Sequence, residues 1–94
     1  MSVADIKEYK IIAKVVSLQK GFSNYESVKA IKIISKQYNL MIMEDYLPVI
    51  GEIEGNVIIM LEENNIEYKN IKGFYKHSHN EFELLIKEYG EDAR

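Results

Sequence analysis

The sequence predicts an all-β fold: a single domain of 94 residues built as a β-sandwich or barrel of short antiparallel strands, with a C-terminal helix as an option. β-branched and aromatic residues gather in short runs, several of which alternate apolar with polar positions. Turn-forming residues separate the runs at roughly 8–12 residue spacing, the pattern of short packed strands. The alternative is an α+β domain with helices near 24–38 and 80–90.

Glu8 to Leu18, with β-branched residues at 11, 12, 15 and 16, reads as a strand with both faces partly covered. Gly21 to Asn24 reads as a turn. Val28 to Ser35 is strand-like, with apolar residues at 28, 30, 31, 33 and 34. The same stretch also carries helix signals. Ser23-Asn24-Tyr25-Glu26 matches a capping box, and Tyr25, Val28, Ile31, Ile34 and Tyr38 fall at helical spacing. Periodicity leaves both readings open.

Leu40 to Met43 is a short apolar run suited to a buried strand. Leu47, Val49, Gly51 and Ile53 alternate with Tyr46, Pro48, Ile50 and Glu52, and Val57, Ile59 and Leu61 alternate with Ile58, Met60 and Glu62. These two runs flank Glu54-Gly55-Asn56, which predicts a hairpin there. Glu62 to Asn65 is a second turn signal. Ile66 to Lys76 is a strand interrupted by Gly73, a mark of a bulge or a close backbone approach. His77 to Asn80 is polar and turn-like. In Glu81 to Tyr89, Phe82, Leu84 and Ile86 alternate as in a strand, while Phe82, Leu85, Ile86 and Tyr89 fit a helix stripe. Met1 to Asp5 and Gly90 to Arg94 are expected to be frayed ends.

Composition excludes several functions. The net charge is −3 and the pI about 5.4, so a basic footprint for nucleic acid is missing. Lys29, Lys32 and Lys36 read as a solvated face. Without cysteines there is no disulfide, thiolate nucleophile or thiolate-bound metal. No signal-like segment follows Met1, and no apolar stretch approaches the ~20 residues of a membrane span. The expectation is a soluble cytoplasmic protein without direct membrane insertion.

Catalytic and cofactor patterns are equally sparse, and neither an enzyme nor a cofactor is expected. His77 and His79 on one strand face could bind a metal with Glu81 or Glu83, but a His-x-His in a polar turn is more often a solvated loop, and no metal site is expected. Glu52 with Glu54, and Glu62 with Glu63, flank turn signals where water keeps carboxylates ordinary. Gly51-x-x-x-Gly55 lacks the Gly-Lys-Ser/Thr continuation of a phosphate loop.

The most pointed feature is Ile42 to Ile53, which holds the only proline. Proline lacks a backbone donor and sits at a sheet edge, a strand start or a bulge. Tyr46, Leu47, Pro48, Val49 and Ile50 are therefore the candidate protein-interface residues, with Tyr46 beside Pro48 as aromatic anchor. The seven tyrosines otherwise suit half-buried sheet positions. An exposed sheet edge also allows a homodimer.

Val28-Lys29-Ala30-Ile31-Lys32-Ile33 followed by Leu40 to Ile50 resembles the N-terminal β-sandwich of the ATP synthase epsilon subunit. Tyr46-Leu47-Pro48-Val49-Ile50 occupies the place of that family's His-Ala-Pro-Leu-Leu segment, and Ile71-Lys72-Gly73-Phe74-Tyr75 that of its Gly-Gly-Phe strand. Phe82-Glu83-Leu84-Leu85 matches the apolar strand that comes next. Ile34 to Leu40 stands where the family has a glycine-rich turn. The resemblance implies a non-enzymatic module that binds another protein, docking on the central stalk of a rotary ATPase. The runner-up is a small acidic regulatory or viral α+β protein that blocks a basic surface of its partner.

Overall fold

A computed structural model describes residues 8–88, so the ends expected to fray at 1–5 and 90–94 lie outside the described residues. Seven strands follow in chain order: β1 (Ile11–Ser17), β2 (Gly21–Val28), β3 (Ala30–Ser35), β4 (Asn39–Ile42), β5 (Val49–Met60), β6 (Asn65–Ser78) and β7 (Glu81–Glu88). Among the described residues there is no helix. The all-β expectation holds, and the α+β alternative is overturned.

Both contested segments are strands because each is paired on two sides. β3 lies between β4 and β5, and its Ile31 and Ile33 point inward while Lys32 points out. β7 lies between β6 and β1, burying Phe82, Leu84 and Ile86 and exposing Leu85. Ladder hydrogen bonds and a period-two apolar face outweigh the helical spacing. Ser23 to Glu26, the apparent capping box, is the middle of β2, and the turn expected at 21–24 sits earlier, at 18–20.

The strand order is β2-β1-β7-β6-β5-β3-β4. Every neighbouring pair is antiparallel except β1 and β7, which run parallel with Ala13 opposite Phe82 and Val15 opposite Leu84. The expectation of purely antiparallel pairing is corrected there. The β6–β7 hairpin leaves one edge of β7 open, and β1 fills it in a register that turns its buried Ala13 and Val15 to the same interior as Phe82 and Leu84.

Not all strands are short: β5 has 12 residues and β6 has 14. Glu54-Gly55-Asn56 is not the expected hairpin turn but the bend inside β5. Gly55 pairs with Ile71 and Val57 with Tyr68, so β6 carries one extra residue at this point. Asn70 adopts φ 56°, and its N–H donates to Asn56 Oδ1 at 2.9 Å. Such a bulge bends both strands and sharpens their twist. The hairpin turn itself is the second predicted one, closed by Leu61 N–H donating to Asn64 O at 2.8 Å.

The bend folds the sheet on itself. β3 and β4 continue one half through the C-terminal half of β5, while β7, β1 and β2 continue the other through the C-terminal half of β6. Lys29 carries the chain across the corner between halves, with its N–H donating to Met60 O at 2.7 Å. The far edges are tied by Tyr25 and Tyr68, whose hydroxyls lie 2.8 Å apart. One core fills the interior, including Ile11, Val15, Ile33, Ile59, Phe82 and Ile86.

Candidate protein-docking surfaces

The loop from Met43 to Pro48 forms a corner between β4 and β5. It is tied to the β6–β7 turn by a reciprocal pair. Asp45 N–H donates to Asn80 Oδ1 at 2.7 Å, and Asn80 Nδ2 donates to Asp45 Oδ1 at 3.0 Å. Lys10 N–H donates to Glu44 Oε2 at 2.8 Å. Asp45, His79 and Asn80 all have positive φ, a conformation Asn and Asp tolerate better than most residues.

The five sequence-predicted interface residues divide at this corner. Tyr46 and Val49 are half-buried and pack on the core. Leu47 and Ile50 are 77% and 75% exposed, on either side of the exposed Pro48. The strand begins at Val49, directly after the proline, as its missing donor requires. The aromatic expected as anchor serves the protein's own interior, and the outward apolar groups are aliphatic.

A second apolar surface covers the outer face of β2, β1, β7 and β6. Val16 pairs with Phe22 on one side and with Leu85 on the other, and Leu85 pairs with Phe74. These four form one row, exposed by 63% at Phe22 and 57% at Phe74. Ile50 joins the groove at its β5 end. Charged rows border it: Lys14, Glu83 and Lys76 on one side, Lys87 and Lys72 on the other. Lys76 Nζ and Glu83 Oε1 are 3.9 Å apart. The signal for this face was present in β1, whose consecutive valines implied cover on both sides. The structure covers only one.

His77 and His79 are not brought together. β6 continues through Ser78, so the polar stretch expected to be a turn buries His77 completely. Neither ring nitrogen has a hydrogen-bond partner among the described residues, and the ring lies against Phe82 with centroids 6.3 Å apart. Burial lowers its pKa from the ordinary imidazole value. His79 is exposed in the next turn. Among the described residues no cluster of three His, Cys, Asp or Glu could hold a metal ion.

The carboxylates at the bend are solvated. Lys36 Nζ sits 3.0 Å from Glu54 Oε2 and holds that carboxyl below its usual range. Behind them Tyr38 and Tyr75 place their hydroxyls 2.9 Å apart, and Tyr38 also donates to the Glu52 carbonyl. Burial and the Tyr38 contact push the Tyr75 phenol up. Gly51 lies under that ring: a Cβ there would come within 2.6 Å of the Tyr75 hydroxyl. Lys29, Lys32 and Lys36 are exposed, but on different features: the corner, β3 and the loop after it.

Among the described residues no helix is long and apolar enough to cross a membrane. No family model matches the sequence, and no curated protein does. The fold does have solved relatives. One is a chain of the Tetrahymena thermophila mitochondrial ATP synthase, in a structure of its central stalk and c-ring. The TM-score is 0.67 at 14% identity, over 88% of this chain and 67% of that one. This chain therefore shares its fold with a chain of an ATP synthase central stalk and c-ring assembly.

Proposed function

We propose that this chain is a non-enzymatic protein-binding module of the epsilon type, docking on the central stalk of a rotary ATPase through the corner at Leu47, Pro48 and Ile50. The observation that carries the reading is the exposure of Leu47, on a loop held by the Asp45–Asn80 pair, and of Ile50 at the start of β5 directly after it. Large aliphatic side chains on a fixed loop lose little entropy on binding, and each gains about 1.5–3 kcal/mol when fully buried. The fold shared with a chain in a structure of a central stalk and c-ring supports that class of partner.

The test is co-purification of the tagged full chain with rotary ATPase subunits from its source cells, repeated with Leu47→Asp/Ile50→Asp. Stalk subunits should be recovered with the unchanged chain, and the double substitution should weaken binding on the order of 100-fold without lowering the melting temperature. Absence of ATPase subunits, or recovery indifferent to the substitution, overturns the reading.

A further inference from the structure

We propose that the outer face of β2, β1, β7 and β6 packs against the same face of a second copy of this chain. Contiguous exposed apolar patches of more than a few hundred Å2 mark interaction sites on soluble proteins. The row Phe22–Val16–Leu85–Phe74 is apolar on all four strands, and Leu18 extends it. With the stems of the bordering lysines and Glu83, the exposed face spans four neighbouring strands.

The choice of a second copy rests on the pattern being self-complementary. A two-fold axis parallel to the strands, between β1 and β7, lays each row on the same row of the other copy. It exchanges β1 with β7 and β2 with β6. Phe22 then meets the second copy's Phe74, and Val16 meets its Leu85. The bordering row reads Asn24, Lys14, Glu83, Lys76 across the four strands. Reversed on itself, it sets Lys14 over the second copy's Glu83 and Asn24 over its Lys76. No like charges coincide in that row, and every contact occurs twice, as an isologous interface requires. On the other border Lys87 meets Leu18, while Lys72 falls beside the turn at 18–20 that carries Lys20, at a rim where solvent screens like charges. Packing of two twisted sheets with aligned strands is an ordinary arrangement.

The pair leaves Leu47 free, because it lies in the loop before β5, outside the exchanged strands, whereas Ile50 sits at the rim of the groove. The dimer therefore stands or falls separately from the docking reading.

Sedimentation equilibrium on the full chain should show a reversible monomer–dimer equilibrium with a dissociation constant on the order of micromolar. Phe74→Asp should abolish it. Lys14→Glu and Glu83→Lys, each alone, should weaken it about tenfold, and the exchange Lys14→Glu/Glu83→Lys should restore it to within a few-fold. Leu47→Asp alone should leave it unchanged, which separates this interface from the stalk contact. Circular dichroism identical to the unchanged chain establishes that each variant folds. A monomer at every concentration overturns the proposal. So does a dimer that survives both single charge reversals, or an exchanged pair as weak as the singles.

Discussion

A buried imidazole with no partner among the described residues makes His77 a source of acid sensitivity. Burying a polar group without a compensating hydrogen bond costs about 1–3 kcal/mol in proteins. It is endured here because the ring fills space against Phe82 and opposite Val49. Its pKa is lowered in the folded state, so the unfolded chain takes up a proton first as the pH falls. The native state is then at full advantage above the unfolded value of 6.5 and loses stability below it, until the folded pKa is reached. The loss runs at up to about 1.4 kcal/mol per pH unit from this one group. Urea midpoints at about pH 7.5 and about pH 5.5 check this. The unchanged chain should lose more between the two than His77→Leu, and the variant should be equal or more stable by about 1 kcal/mol near neutral pH. An equal loss in both would mean that His77 is not the group that titrates.

At the level of elements, the bend in β5 and β6 decides the architecture, since without it the sheet would not close over one core. A methyl group at Gly55 would collide with the Ile34 carbonyl oxygen, a backbone atom held in the β3–β5 ladder. Gly55→Ala should therefore cost about 2 kcal/mol or more. Asn70→Ala puts alanine at φ 56° and should cost about 1 kcal/mol. Thermal melts should register about 4–8 °C per kcal/mol for a chain of this size. The same place shows where sequence reading stops. Gly-Asn between two alternating runs reads as a hairpin, yet those runs pair with β6 and β3, not with each other. The strand character of β1 was legible from its β-branched run and that of β4 from its short apolar run, whereas β3 stayed open between strand and helix; the outward corner beside Pro48 was legible too. The helical stripe from Tyr25 to Tyr38 misled because spacing carries no information about the strands that flank β3. The buried His77 was hidden in a polar triplet. The outer face was legible only as an excess, Val15-Val16 and Leu84-Leu85-Ile86, because among the described residues Val16 and Leu85 stay exposed.

Over the whole molecule, closure of the sheet joins strands from opposite ends of the sequence. Val15 pairs with Leu84, about 70 positions away, and the entropy of closing so long a loop must be met before the contact contributes. The β5–β6 hairpin, by contrast, turns within Leu61 to Asn64, and β3 then adds to its edge. Folding dominated by such distant pairings is slow, in the millisecond-to-second range. The order of events follows from the same entropy: the bent hairpin and β3 form the nucleus, and β1 docks on β7 last. Ile59, fully buried in the hairpin, and Val15, buried on β1, separate the two steps. Ile59→Val should slow refolding by most of its effect on stability, about 0.5–1.5 kcal/mol. Val15→Ala should leave the refolding rate nearly unchanged and speed unfolding instead. Stopped-flow chevrons of the two variants read this directly. The reverse pattern, with Val15→Ala slowing refolding, would place the parallel β1–β7 pair in the nucleus and make its closure, rather than the hairpin, the event that commits the chain to this fold.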